Sequence, residues 1–159
     1  MLGSDTDLQG VANLVGYVST PFTNPTIQGD AVLQDFFINQ TEVGTISFGA
    51  DYEASTNNIN MFGDIIFKGS RTFAFDGDYI VNSEDKIEDS LDFEMKMNGT
   101  DISVLNEFLD PEVVSKVGGY LEGDMALTGT IAEPLLKGKV DFRDGLANLA
   151  ILGADMYYE

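Results

Sequence analysis

Apolar and polar residues alternate along most of this chain, which is the pattern of β-strands that bury one face. Residues 91–98, LDFEMKMN, carry apolar side chains at every second position and charged or amide side chains between them. The alternation recurs in residues 42–53, 57–68 and 71–81. Successive side chains of a strand point to opposite faces, so a period of two indicates strands. Turn-forming residues separate these segments, which predicts an antiparallel meander of roughly eight to ten strands.

One segment has helical rather than strand periodicity. Leu105, Phe108 and Leu109 follow each other at helical spacing, and Pro111 stands where a second helical turn would begin. Proline suits the first position of a helix, because the N–H that it lacks has no partner there. The pattern therefore predicts one short, broken helix near residues 102–117. Such a helix would either plug one mouth of a groove or fill an end of the core, and core filling is the favoured interpretation.

Glycine and proline recur at matched positions in residues 8–36 and 121–145. Both stretches read G-x5-G, then P-x-[IL]-x-G and an alternating strand. Gly10 and Gly16 match Gly123 and Gly129, and after a four-residue insertion Pro25, Ile27, Gly29 and Asp35 match Pro134, Leu136, Gly138 and Asp144. Both residue types weaken strand interiors, so they predict bulges or bends that curve the sheet. A stacked repeat is typical of an elongated protein; chance or ordinary reuse of hairpins is the alternative.

This repeat, with the segment from Leu105 to Phe142, resembles the TamB family of the AsmA-like superfamily. The residues that match the family's repeated unit are Leu105, Leu109, Pro111, Gly119, Leu121, Gly123, Met125, Leu127, Gly129, Pro134, Leu136, Gly138 and Val140. The resemblance covers the C-terminal third and, more loosely, residues 8–36. It implies a half-open β-taco with an apolar interior, in an envelope protein that reaches across the periplasm of a Gram-negative bacterium. It also implies a role in moving lipids to the outer membrane or in outer-membrane biogenesis.

The predicted fold is all-β: an elongated, curved antiparallel sheet, either a β-taco or a half-open barrel, with one short helix near residues 102–117. Residues 1–7 are expected to be a linker or added residues. Residues 8–159 are expected to form a single TamB-like repeat domain from a longer chain. No apolar run of about 18 residues is present, so attachment to a membrane is expected through parts of the chain not present here.

The inward faces of the predicted strands are almost purely aliphatic, aromatic and methionine. Apolar burial is non-directional and contributes roughly 0.8 kcal/mol per methylene, so a groove of this kind would hold phospholipid acyl chains and let them slide. The residues expected to line the groove are Phe48, Met61, Phe67, Phe75, Phe93, Met95 and Leu127. The alternative is that the same faces close on each other as the dry core of a sandwich or barrel.

Composition limits the chemistry that the chain can perform. It has no cysteine and no histidine, which excludes disulfides, thiolate nucleophiles, histidine relays and zinc sites built on either residue. A net charge of -19 disfavours nucleic acid as a partner. Asp76, Asp78 and the acidic run at residues 84–89 could bind calcium, but no D-x-[DN]-x-[DN]-G loop frames them, and a solvated acidic loop is favoured.

Two classes of function fit these observations. The first is a non-enzymatic apolar conduit or scaffold for lipid transport between membranes, with phospholipid acyl chains and outer-membrane assembly proteins as partners and no cofactor. The second is a secreted or surface β-sandwich adhesin or glycan-binding module. The second class expects exposed aromatic residues grouped on loops, whereas most aromatic residues here fall at inward strand positions. No marked pair of carboxylates indicates a glycosidase, so no enzymatic activity is expected.

Overall fold

A single antiparallel sheet makes up almost the whole of the computed structural model, which describes residues 6–20, 22–81, 89–109, 114–149 and 154–158. Its strands are β1 (Leu8–Ser19), β2 (Thr26–Ile38), β3 (Thr41–Glu53), β4 (Asn58–Phe67), β5 (Ser70–Ile80), β6 (Ser90–Asp101), β7 (Val114–Thr130), β8 (Pro134–Leu149) and β9 (Ala154–Tyr158). The nine strands lie side by side in chain order, and each pairs antiparallel with the next. The sheet does not close, because β1 and β9 form its two edges. The predicted all-β, curved, antiparallel sheet is confirmed.

The register sorts the side chains onto two different faces, since directly paired residues of antiparallel strands point the same way. From β2 to β8, one row contains Gly29, Ala50, Met61, Gly77, Phe93, Leu127 and Leu136, and the next contains Ala31, Phe48, Gly63, Phe75, Met95, Met125 and Gly138. We call the face with these rows the apolar face. The opposite, acidic face carries Asp30, Asp51, Asp76, Asp78, Asp92 and Glu94.

Irregularities of the register gather toward one end of the sheet, the end that holds the β2–β3 and β4–β5 turns. Register shifts occur between Gln9 and Val11, Leu33 and Phe36, Ile65 and Ile66, Asn98 and Thr100, and Gly118 and Tyr120. A bulge bends its strand and increases the local twist. Bulges in so many neighbouring ladders bend the sheet as a whole at this end, which we call the bulged end.

The internal repeat is present in the strand pairing. Val11 pairs with Gln34 in the first hairpin, and Tyr120 pairs with Arg143 in the second, each 109 positions further on (11 to 120, 34 to 143). The register shifts of the two hairpins fall at the same offset. Asp35 and its equivalent Asp144 both adopt positive φ, at 49° and 51°.

The pairing changes one set of equivalences inferred from sequence. The glycine that lies at the bulge of the second hairpin is Gly119, so it is the counterpart of Gly10, in place of Gly123. Paired residues of the two hairpins differ by 109 positions on both strands. The strand pairing therefore needs no four-residue insertion between the two copies. The spacing of glycines in the sequence matched Gly10 with Gly123. The strand pairing matches Gly10 with Gly119, because each of these two glycines lies at the bulge of its hairpin.

The bulge of the second hairpin leads to a prediction about two adjacent glycines. At Gly119 φ is +123°, and an added Cβ would lie 2.6 Å from the Phe142 ring and 2.9 Å from the Arg143 carbonyl oxygen. At Gly118 an added Cβ would meet nothing within 4 Å. We expect Gly119→Ala to lower the free energy of unfolding by about 2 kcal/mol, because the strained φ and the backbone contact cannot both be relieved. Gly118→Ala is the matched control and should change it by less than about 1 kcal/mol. Urea melts of both variants measure the difference, and equal losses would contradict this account of the bulge.

The predicted helix over residues 102–117 is wrong in extent. Within the described residues the helical structure is one 3-10 turn, η1 (Ser103–Glu107), and β7 begins at Val114. The ladder with β8 holds Val117 opposite Ala147, and this tertiary pairing outweighs the local helical signals. Residues 110–113 lie outside the described residues, as do residues 1–5 of the predicted linker and residues 84–88 of the acidic run.

Candidate functional site

The seven predicted groove residues all lie on the apolar face. Met61, Phe93 and Leu127 belong to one row, and Phe48, Phe75 and Met95 belong to the next, so the structure brings these six together. Phe67 lies apart from them, at the bulged end of β4, where it lines a small cavity with Ile65. The period-two pattern therefore predicted correctly that these side chains share one face, and their role in lining a lipid groove stays a prediction.

Phenylalanine rings join into a continuous surface in the middle of this face. Phe48 on β3 and Phe75 on β5 have ring centroids 6.2 Å apart, although one strand separates them. Strands two apart in a sheet are about 9.6 Å from each other, so the two rings lean together. Gly63 lies between them in the row, and the Phe75 ring leans over it, because an added Cβ at Gly63 would lie 2.6 Å from that ring. Phe75 also contacts Phe93 at 6.5 Å, which extends the surface to β6.

Phe73 belongs to the same aromatic surface and was absent from the predicted groove residues. Its ring lies 6.3 Å from that of Phe75, two residues further along β5. The sequence signal was present, because residues i and i+2 of a strand share a face.

The described strands leave the apolar face without a second layer. Substantial contacts between elements join only neighbouring strands, apart from those of η1 with β3 and β7. Among the described apolar side chains, Ile38 and Phe93 alone are buried, and even they are 9% and 8% exposed. Phe48, in the middle of the sheet, is 41% exposed. The dry core of a sandwich or a closed barrel, which was the alternative interpretation of these faces, is therefore not formed by this part of the chain.

Asn106 anchors η1 to strand β7. Its side-chain oxygen accepts a hydrogen bond from the Val117 N–H, and its Nδ2 donates one to the Val117 carbonyl oxygen, both at 2.6 Å. The side-chain amide thus pairs with β7 as a neighbouring strand would. Beyond Asp101, where β6 ends, these two hydrogen bonds continue the pairing of β7 on that side.

Glu107 anchors the other side of η1 to the β2–β3 turn. Its carboxylate accepts hydrogen bonds from Asn39 Nδ2 and from Thr41 Oγ1, the second at 2.7 Å. Neighbouring residues of η1 therefore reach β7 and β3, which are four strands apart in the sheet. Four spacings of a flat sheet measure about 19 Å, so this bridge accompanies the curling of the sheet at its bulged end.

The hydrogen bonds from Asn39 and then from Thr41 lower the pKa of Glu107 below its ordinary value of 4.5, against a smaller opposing effect of burial. Because the pKa of Glu107 is lower in the folded protein than in the unfolded chain, its hydrogen bonds stabilise the fold fully at a pH above the unfolded-state pKa. This stabilisation is lost as the pH falls through the folded-state pKa.

We therefore expect the anchoring of η1 to β3 to weaken only in acid, below about pH 4.5. Amide hydrogen exchange at Thr41 and in η1, compared at about pH 6 and pH 3.5 after correction for intrinsic rates, measures the change. Glu107→Gln keeps the shape of the side chain without its charge, so its exchange should lack this acid-dependent component. An identical acid response in both proteins would show that Glu107 is not the group responsible.

A small cavity of about 80 Å³ lies beneath η1 at the bulged end. Its apolar wall is formed by Val43, Ile65, Phe67 and Val104. No residue of η1 is buried, so the turn covers this end of the apolar face without forming a core. That geometry favours the plug over the core filler among the two roles considered for the helical segment. The aromatic surface around Phe75 lies outside the cavity and is not among its lining residues.

Negative charge is concentrated on the other side of the sheet. On the acidic face Asp76 pairs directly with Glu94, and Asp78 pairs with Asp92. Like charges directly opposite each other destabilise a sheet, so this arrangement is not explained by folding stability. Within the described residues no group of three or more potential ligands is arranged to hold a metal ion.

The fold and the site together define a class of protein: an open, curved antiparallel sheet with one apolar face and one acidic face. Comparisons of the chain with protein-family models, with curated proteins and with solved structures found no match. The resemblance to the TamB family therefore remains a prediction. Among the described residues no helix is long and apolar enough to cross a membrane.

Proposed function

We propose that this chain is a non-enzymatic, TamB-like segment of a Gram-negative envelope protein, and that its apolar face carries phospholipid acyl chains across the periplasm. The observation that carries the proposal is the uncovered apolar face, with uninterrupted rows of apolar residues from β2 to β8. Six strand spacings from β2 to β8 give these rows a length of about 29 Å along the sheet, enough to hold an acyl chain.

The chemistry of the face suits a sliding ligand. Phenylalanine side chains offer no hydrogen-bonding group, and methionine offers only a weak sulfur acceptor, so neither fixes a ligand at one point. Each methylene taken from water contributes roughly 0.8 kcal/mol wherever it lies on the face, so affinity accumulates without a specific stopping place. Headgroups would remain in solvent at the open side. The resemblance to the TamB family, rather than the arrangement itself, motivates the proposed role in transport to or support of the outer membrane.

The β-sandwich adhesin or glycan-binding module is less consistent with the fold. A sandwich needs a second sheet across the apolar face, and all nine described strands belong to one sheet. We therefore carry only the conduit forward.

Native mass spectrometry of the purified chain tests the proposal. Phospholipid should co-purify with the chain, and lipid-stripped protein should take up added phospholipid again in discrete steps. A chain that never carries phospholipid after purification, and that remains lipid-free when phospholipid is added, would contradict the proposal.

A further inference from the structure

The small cavity beneath η1 is continuous with the apolar face. Strands β3, β4, β5 and β6 and the turn η1 all contribute to its wall, so inner strands of the sheet enclose it. Ile65 in this wall pairs directly with Phe73, and the Phe73 and Phe75 ring centroids lie 6.3 Å apart. An apolar path therefore leads from the aromatic surface to the cavity, with no polar side chain between these three residues.

The threonine hydroxyls that line the cavity already donate hydrogen bonds within the protein. Thr41 Oγ1 donates to the Glu107 carboxylate. Thr72 Oγ1 donates to the Ile65 carbonyl oxygen, and Thr100 Oγ1 donates to the Thr72 carbonyl oxygen. A buried water molecule needs about two to four polar partners, and these threonines offer it no free donor. The cavity therefore favours an apolar occupant.

The size of the cavity limits what can enter it. Its volume is about 80 Å³. An apolar cavity of about 150 Å³ stays dry and binds benzene, which has six carbons, so about half that volume accommodates about three carbons. A complete lipid is too large for this space, whereas the end of one aliphatic chain fits it.

Negative charge decides which end of a lipid can enter. Glu42 and Asp101 line the cavity, and Glu107 lies beside it on Thr41. A carboxylate or phosphate headgroup would be repelled by these carboxylates, and it would also lose its water against the apolar wall. The methyl end of an acyl chain carries neither cost.

We propose that this cavity receives the methyl end of one acyl chain that lies on the apolar face, and that η1 closes over it. The inference rests on the proposed function and adds a fixed position to a face along which chains otherwise slide. Val104 brings η1 into the cavity wall, so the turn is part of the site. A lipid held in this way points its headgroup away from the bulged end.

Nuclear Overhauser contacts between palmitate and the lipid-free, 159-residue chain test the inference. Palmitate labelled with ¹³C at its terminal methyl should show contacts to Val104 and Ile65. Palmitate labelled beside its carboxyl group should show none there. Equal contacts from both ends, or contacts of the methyl end to Phe75 and Met95 alone, would overturn the inference. A chain that binds no palmitate would overturn it as well, and the mass spectrometry of phospholipid then decides separately on the proposed function.

Val104→Phe fills the cavity from η1 and gives a second measurement. We expect palmitate to bind at least about tenfold more weakly, because about three carbons lose their buried position. Leu105→Phe is the matched control, since it places the same ring on the same turn at a 45% exposed residue that is not among the described residues of the cavity wall. It should leave palmitate binding unchanged.

Equal affinities of the two folded variants for palmitate would overturn the inference. Native mass spectrometry should still show phospholipid uptake by Val104→Phe, because its open apolar face is intact, so the cavity and the conduit fail separately. The Overhauser contacts need no substitution, so they decide the matter if Val104→Phe does not fold.

Discussion

Phe48→Glu should weaken the binding of a fluorescent fatty acid at least about tenfold, because its carboxylate would lose water when an acyl chain covers it. Phe48 lies on the apolar face beside the Phe75 ring and is 41% exposed, so the folded sheet can accept a charge there in the absence of ligand. A titration of the fatty acid against the chain, followed by fluorescence, gives the dissociation constants.

Ile66→Glu provides the matched control for this prediction. Ile66 is 40% exposed, on the neighbouring strand β4, and its pairing with Thr45 places it on the acidic face. The two variants add the same charge at the same exposure and differ in the face that receives it. Equal losses of binding in both would show that net charge, and not the apolar face, governs the interaction.

Asn106→Leu should lower the free energy of unfolding more than the other substitutions in η1 that we describe. The substitution leaves the Val117 N–H and carbonyl without the two partners that now lie 2.6 Å away. An unpaired, partly buried backbone group costs about 1–3 kcal/mol, so we expect the free energy of unfolding to fall by about 2 kcal/mol. Chemical denaturation measures this value, and hydrogen exchange at the Val117 amide should accelerate.

Asn106→Asp separates the hydrogen bond that this side chain accepts from the two that its Nδ2 donates, to the Val117 and Ser103 carbonyl oxygens. An aspartate oxygen can still accept from the Val117 N–H, but it cannot donate to the Val117 carbonyl. We therefore expect protection of the Val117 amide to remain and the loss of stability to lie between those of wild type and Asn106→Leu. Should Asn106→Leu leave both the stability and the exchange rate unchanged, η1 would not be anchored to β7 in the way described.

The sheet could be predicted from sequence because its signal is local. Alternation in LDFEMKMN and similar segments reports which side chains share a face, and that information needs no knowledge of the neighbouring strands. The assignment of Phe75 and Met95 to one face followed directly and agrees with their pairing. Strand number and strand order followed from short turns, which favour antiparallel neighbours.

The arrangement at the bulged end could not be predicted, because distant parts of the chain determine it. Glu107 meets Thr41 across 66 residues of sequence, and no local pattern connects them. Leu105 and Phe108 have helical spacing, but one 3-10 turn satisfies that spacing, and pairing with β8 extends the chain from Val114 onward. The match of Gly10 with Gly119 could not be predicted either, because it depends on how β7 pairs with β8.

Photo-crosslinking along a single strand in cells tests the central claim most directly. A photo-reactive residue placed in turn at positions 94, 95, 96 and 97 of β6 samples the acidic and apolar faces alternately. The account predicts phospholipid adducts at Met95 and Met97 and none at Glu94 and Lys96. Adducts at all four positions, or at none, would contradict an apolar face that stays open and holds acyl chains.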